Sequence, residues 1–232
     1  MDSKKIIAKL KSQRNPKNIA GMARFGISAK NTLGVSMPYL RSLAKEIRKE
    51  AKTDKKGAEN RHKLAIMLWK SKIHEARILA ALIDEPEMVG EKQMENWAKD
   101  FDSWDVCDHV CMNLFDKTEI AWQKAADWSR RKEEFVKRAG FALVAALAFH
   151  DKKADNKKFI EFFPHIKREA VDGRNFVRKA VNWALRQTGK RNKSLCVAAL
   201  KTAREIQSKN PENKTAKWIA SDAIRELEKK KF

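Results

Sequence analysis

Two side chains four residues apart, Trp104 and Asp108, offer the most distinctive chemistry in this sequence. They fall in Phe101-Asp102-Ser103-Trp104-Asp105-Val106-Cys107-Asp108-His109-Val110-Cys111. Asp102 or Ser103 can cap a helix there, and Val106, Val110 and Leu114 supply an apolar stripe at helical spacing. On that helix the indole and the carboxylate are neighbours on one face. Such a carboxylate needs an outward view or a partner, and it can be aimed at a cationic ligand. The alternative is placement alone, since negative charge in the first turns of a helix is favoured by about 0.3–1 kcal/mol. That accounts for Asp102 and Asp105; Asp108 lies further in.

A second constellation surrounds Trp183. Lys179, Arg186 and Lys190 lie at −4, +3 and +7 from it, so one helical face carries three cations with an indole among them. The apolar face runs elsewhere, through Val177, Val181, Ala184 and Thr188, and Arg191 and Lys193 extend the positive patch. An aromatic within a basic stripe can stack on sugars or bases while the cations hold phosphates. It can equally pack on aliphatic Lys and Arg stems. Arg138 is the last charge before a long apolar run, a position that suits a guanidinium at the edge of a cleft or, alternatively, a surface Arg on a first turn.

Other chemistries fit poorly. Cys107 and Cys111 share a face, but His109 lies off it and no further Cys–His cluster completes four ligands, so no metal is expected. His74, His150 and His165 have no Ser or Cys at a spacing that suggests a hydrolytic triad, and no glycine-rich phosphate loop is present. No cofactor is expected.

The charge narrows the partner. Lys and Arg number 51 against 30 Asp and Glu in 232 residues, a formal net charge of +21. That is well beyond the magnitude of ~2–8 that solubility asks of a small domain. Nucleic acid is the first expectation and an anionic membrane surface the second. No apolar run reaches the ~18 residues of a spanning helix. The first residues, Met-Asp-Ser-Lys-Lys, are charged, and three cysteines fit a reducing compartment, so the expected location is the cytoplasm, in association with nucleic acid.

The elements that must position these residues read as helices almost throughout. With Gly 8, Pro 5 and only short β-branched runs, about thirteen short helices are expected. Among them are Lys4–Gln13, Lys17–Phe25, one opened by Pro38, Glu133–His150 with an uncharged run from Ala139 to Phe149, Asp155–Phe163 ending before Pro164, Arg174–Gly189, and Thr215–Lys231. No linker composition separates them. Glu134-Phe135-Val136-Lys137-Arg138-Ala139 recurs 41 residues on as Asn175-Phe176-Val177-Arg178-Lys179-Ala180, within the ~40–47-residue period of HEAT-like helix pairs. A stacked helical array is therefore expected, with a non-repeating bundle as the alternative.

Three segments together resemble the AlkD-type DNA alkylation-repair glycosylases, a family built of HEAT-like repeats. The resemblance spans almost the whole chain. It starts at Met22-Ala23-Arg24-Phe25 with Leu33-Gly34-Val35 and Pro38, and continues through Trp104-Asp105-Val106-Cys107-Asp108 and Lys137-Arg138-Ala139. It ends at Phe176-Val177-Arg178-Lys179-Ala180-Val181-Asn182-Trp183-Ala184-Leu185-Arg186. It implies an all-α HEAT-like array, residues 1–232 as one domain with a basic concave face, and a monomer acting on duplex DNA that carries alkylated bases. It also implies release of cationic N7- or N3-alkylated purines. Trp104 and Asp108 match the family's tryptophan and catalytic aspartate, Arg138 its active-site arginine, and Trp183 its second cleft tryptophan, with Arg186 one turn on. Phe25 stands where the family often has tyrosine, and the Phe25–Leu33 loop differs. Phe25, Lys179, Arg186, Lys190, Arg191 and Lys193 are the expected DNA contacts. A shallow repeat surface with no obvious pocket is expected too. A non-catalytic DNA-binding member of the same superfamily is the second reading, and a scaffold for an acidic protein the third.

Overall fold

Helix starts in this chain are written in short polar side chains. In the computed structural model, which describes residues 1–232, Asp2, Asn15, Asp155, Asn192 and Asn213 each accept a backbone N–H from the first turn they precede. Pro16 and Pro38 occupy first-turn positions, where a missing N–H costs nothing. The result is thirteen α-helices, two single 3-10 turns and no strand.

The chain divides into two compact units, Met1–Trp97 with Asp102–Thr118, and Ala98–Phe101 with Glu119–Phe232. The first contains α1 (Ser3–Ser12), α2 (Pro16–Ala23), α3 (Met37–Ala51), α4 (Gly57–Lys70), α5 (His74–Ile83), most of α6 (Glu91–Lys99) and α7 (Trp104–Asn113). Here α5 is buried along its whole length, packed against α3, α4 and α7. Its core includes the parallel stack of Trp69 on Trp97, with centroids 4.0 Å apart.

The second unit holds α8 (Ala121–Trp128), α9 (Glu134–His150), α10 (Asn156–Glu169), α11 (Asn175–Gly189), α12 (Lys193–Lys209) and α13 (Lys214–Leu227). The most extensive pairing is α9 on α11, the two helices that carry the repeated hexapeptide, and Phe135 meets Phe176 across it at 5.4 Å. A spacing one residue shorter recurs in the bonds between elements. Asn182 and Arg186 of α11 reach Asp222 and Glu226 of α13, each pair 40 residues apart. The repeat therefore governs tertiary contacts as well as sequence.

Two expectations about helices are corrected. α10 does not stop before Pro164 but runs through it to Glu169. Pro164 is exposed while Phe159, Phe162, Phe163 and Ile166 form one buried face, so the continuing apolar face outweighs the ~3 kcal/mol a mid-helix proline costs. In α9 the buried run covers Val136–Ala148, but Phe149 is 55% exposed and only the edge of His150 and Lys152 lie against it. No helix is long and apolar enough to cross a membrane.

Candidate active site and nucleic-acid interface

In the first unit the start of α7 is built around Asp105. Ser103 is the N-cap residue, but its hydroxyl donates to the Asp105 carboxylate instead of capping the helix. The other Asp105 oxygen meets His74 Nε2 at 2.8 Å. Burial pushes the Asp105 carboxyl up, yet the His74 bond and charge, with the Ser103 and Val106 donors, outweigh it and hold the group below its ordinary range. Burial likewise pushes His74 down, and Asp105 reverses that, so the imidazole is held above its usual value. Asp102 does not cap either; it receives Arg77 Nη1 at 3.2 Å.

Trp104 and Asp108 sit one turn apart on α7, both partly exposed. The indole Nε1 donates to the backbone carbonyl of Phe25 at 3.0 Å, which fixes the ring's orientation. Phe25, predicted to touch DNA, has a 70% exposed ring. The charge of Asp108 reaches Cys111: burial, Cys107 and Asp108 together push that thiol well above its ordinary value, so it stays protonated.

Beside Trp104 lies a cavity of about 450 Å³, lined by Met22, Phe25, Met37, Ile78 and His109 among others. The expectation of a surface without a pocket fails here. The reason is local: Gly21 presents no side chain where a Cβ would meet nothing within 4 Å, and the 33–35 loop is drawn back onto Glu75. The Glu75 carboxylate is 1% exposed and accepts N–H groups from Leu33, Gly34 and Val35.

Sequence reasoning also passed over α3. Arg41, Lys45, Arg48 and Lys52 repeat at i, i+4, i+7 and i+11, a signal plain in the sequence. With Lys49 and Lys117 they line a groove of about 670 Å³ that contains no carboxylate, and none of the six makes an ion pair.

In the second unit Arg138 is 5% exposed, so it is no surface residue of a first turn; its Nη1 donates to the Phe176 carbonyl of α11 at 2.7 Å. Trp183 is partly buried, and Val177, Val181, Ala184 and Thr188 form the buried face as predicted. The basic stripe around Trp183 is more occupied than the sequence suggests. Arg186 and Lys190 both pair with Glu226, and Arg186 lies 3.5 Å from Asp222. Burial alone would raise the Glu226 carboxyl, but these two cations outweigh it and hold the group below its ordinary range. Arg191 donates to the carbonyls of Ala148 and Ala154 and covers the Phe159 ring at 4.8 Å. Lys179 and Lys193 are exposed. The counter-charges come from α13, 40 residues on, where inspection of α11 alone does not reach.

Beneath this face a buried ionic cluster ties the repeats together. Lys137 meets Glu169 and, at 3.3 Å, Asp172. Arg174 grips Asp172 and donates to the Lys132 carbonyl. The Arg174 bond, aided by Lys137 and resisted by burial, brings the Asp172 carboxyl down to about 2.

Comparison with known proteins agrees with this architecture. A solved structure, described as "a new family of proteins related to the HEAT-like repeat DNA glycosylases with affinity for branched DNA structures", superposes with a TM-score of 0.74 over 88% of this chain and 83% of that one, at 18% identity. That likeness concerns the fold. No curated protein matches the sequence. A family model described as "DNA alkylation repair enzyme" matches residues 6–227, nearly the full length, and the chain belongs to that DNA alkylation repair enzyme family.

Proposed function

We propose that this protein is a DNA glycosylase that releases cationic N7- and N3-alkylated purines from duplex DNA. The observation that carries the reading is the pairing of Trp104 and Asp108 on α7 within a chain of the alkylation-repair family, the indole oriented by its bond to Phe25. An alkylated purine already bears positive charge, so its glycosidic bond breaks toward an oxocarbenium-like sugar with little need of a general acid. The protein has to supply negative charge near C1′ and a positioned water, and the Asp108 carboxylate is suited to both. Trp104, one turn from Asp108, presents an electron-rich ring face to the cationic sugar. The exposed Lys179 and Lys193 offer positive charge to phosphates, while the buried Arg138 serves to position α11 through its bond to the Phe176 carbonyl.

Substrate choice then follows the lability of the leaving group, and neutral lesions such as uracil stay in the DNA. Incubating the protein with alkylated duplex and identifying the released bases tests the reading. Asp108→Asn should lower N7-methylguanine release by roughly 10²–10³-fold while duplex binding persists. Release at the parental rate overturns the assignment.

A second reading is favoured by the solved structure with affinity for branched DNA: a binding protein without base-release activity. In that case parent and Asp108→Asn proteins release no base and bind a four-way junction equally.

A further inference from the structure

The same two helices carry, end to end, an apolar cavity and a cationic groove. Met37 and Leu40 of α3 and Trp104 and His109 of α7 line the cavity; Arg41, Lys45 and Arg48 of α3 and Asn113 of α7 line the groove. We propose that the first unit is a binding site for an unpaired nucleotide. Its base enters the cavity against Trp104 and Phe25, and the phosphates that flank it lie along α3.

The cavity suits a base. About 450 Å³ lies in the range of ligand pockets, and its walls combine aromatic and thioether side chains with polar residues that include Asn18, His74, Glu75 and Asp105. The Trp104 N–H is committed to the Phe25 carbonyl, which fixes the indole at the cavity wall. Phe25, 70% exposed, offers a second ring at the cavity. Stacking of this kind accepts any base. One polar group is positioned to read an edge: the His109 ring bonds to no other residue of the protein. Burial, joined by Arg41 and His74 and partly offset by Asp105, holds this imidazole below its ordinary value, so it presents one donor and one acceptor.

The groove identifies the occupant as nucleic acid rather than a free apolar ligand. Its six cations have neither ion-pair partners nor a carboxylate among them. From Arg41 to Lys52 they extend about 16 Å along α3, the reach of several nucleotides of one strand. An unpaired base is required because a stacked one cannot enter a pocket. The proposal rests on DNA as the partner, as above, but not on Asp108 or on glycosylase chemistry.

Undamaged DNA therefore tests it. The probes are a duplex with one bulged 2-aminopurine and the same duplex fully paired. The parent protein should bind the bulged duplex roughly five- to a hundredfold more tightly, the span of one base–aromatic stack, and quench its fluorescence. Gly21→Phe fills the cavity from a helical position where a Cβ meets nothing within 4 Å, so the variant folds, as thermal unfolding will verify. It should lose the preference and the quench yet bind the paired duplex like the parent. Lys45→Ala/Arg48→Ala should weaken both complexes and reduce the salt slope by about 2. A parent protein without preference, a Gly21→Phe protein that retains it, or unchanged affinity in the double variant would each overturn the proposal. Base release from alkylated DNA is measured separately, so failure here leaves the glycosylase reading standing, and the converse holds.

Discussion

Replacing Glu75 probes the device that shapes the first unit's cavity. This carboxylate, 1% exposed at the start of α5, accepts N–H groups from Leu33 at 2.9 Å, Gly34 at 2.5 Å and Val35 at 3.3 Å. Glu75→Ala strands three donors. Each buried, unsatisfied polar group costs about 1–3 kcal/mol, which sets a ceiling near 9. Water entering from the adjacent cavity can satisfy part of the deficit, and the 3.3 Å bond to Val35 is weak to begin with. A loss of about 3–5 kcal/mol is expected. Glu75→Gln keeps one acceptor oxygen but turns an amino group toward the amides, so about half that loss is expected. At 2–4 °C per kcal/mol for a chain of this size, the Ala variant should melt roughly 6–20 °C lower by calorimetry. Amide exchange at Leu33 and Gly34 should accelerate before that of α5 as a whole. An Ala variant within about 0.5 kcal/mol of the parent, the range of an ordinary surface change, would show that Ile27 and Val35 packing holds the loop without the carboxylate.

Gly34 in the same loop has φ +74, and a Cβ there falls 2.4 Å from the Asn15 carbonyl oxygen; Gly34→Ala should cost at least about 2 kcal/mol in urea unfolding. The His74–Asp105 pair gives a pH signature. His74 is raised above its usual 6.5, so its contribution is complete below that value and disappears as pH rises through the folded value. Asp105 is lowered below 3.8, so its contribution is present above that value and disappears as pH falls through the folded one. Stability should thus fall as pH rises from about 6.5, the unfolded imidazole's value, through the folded one, and the fall should shrink in His74→Gln. Lys137→Met leaves Glu169 and Asp172 without their shared cation. Because Arg168 and Arg174 remain beside them, the expected loss is about 2–3 kcal/mol by denaturant titration, below the 3–5 of a fully orphaned buried charge.

Much of the fold was legible because its signals are local. Asp2, Asn15 and Asp155 cap helices through bonds made within three residues, and the Val177–Thr188 spacing fixes a buried face without reference to anything else. Expectations failed where a partner lay far off. Pro164 reads as a stop until the four-residue apolar face around it is docked on other helices. Ser103 and Asp102 read as caps, but the Ser103 hydroxyl turns to Asp105, itself bonded to His74 of α5, and Asp102 receives Arg77 of the same helix. Glu75 carries no local sign that its carboxylate holds a loop some 40 residues earlier in the chain.

On α11 the availability of a cation depends on carboxylates that lie roughly one repeat further along the chain. Moving 40 residues on from Asn182 and Arg186 gives Asp222 and Glu226, and the structure joins both pairs. The cations of α11 are therefore partly spent on the fold, however suitable their spacing is for phosphates. The same step from Arg41, Lys45, Arg48 and Lys52 gives Ala81, Glu85, Met88 and Lys92. Only one of these is acidic, and Glu85 is already paired with Arg61. The excess of positive charge that first suggested a polyanion is thus uneven in its freedom to bind one. A stripe without an acidic counterpart one repeat on, as on α3, stays open to DNA, whereas a stripe with one serves chiefly to hold neighbouring repeats together.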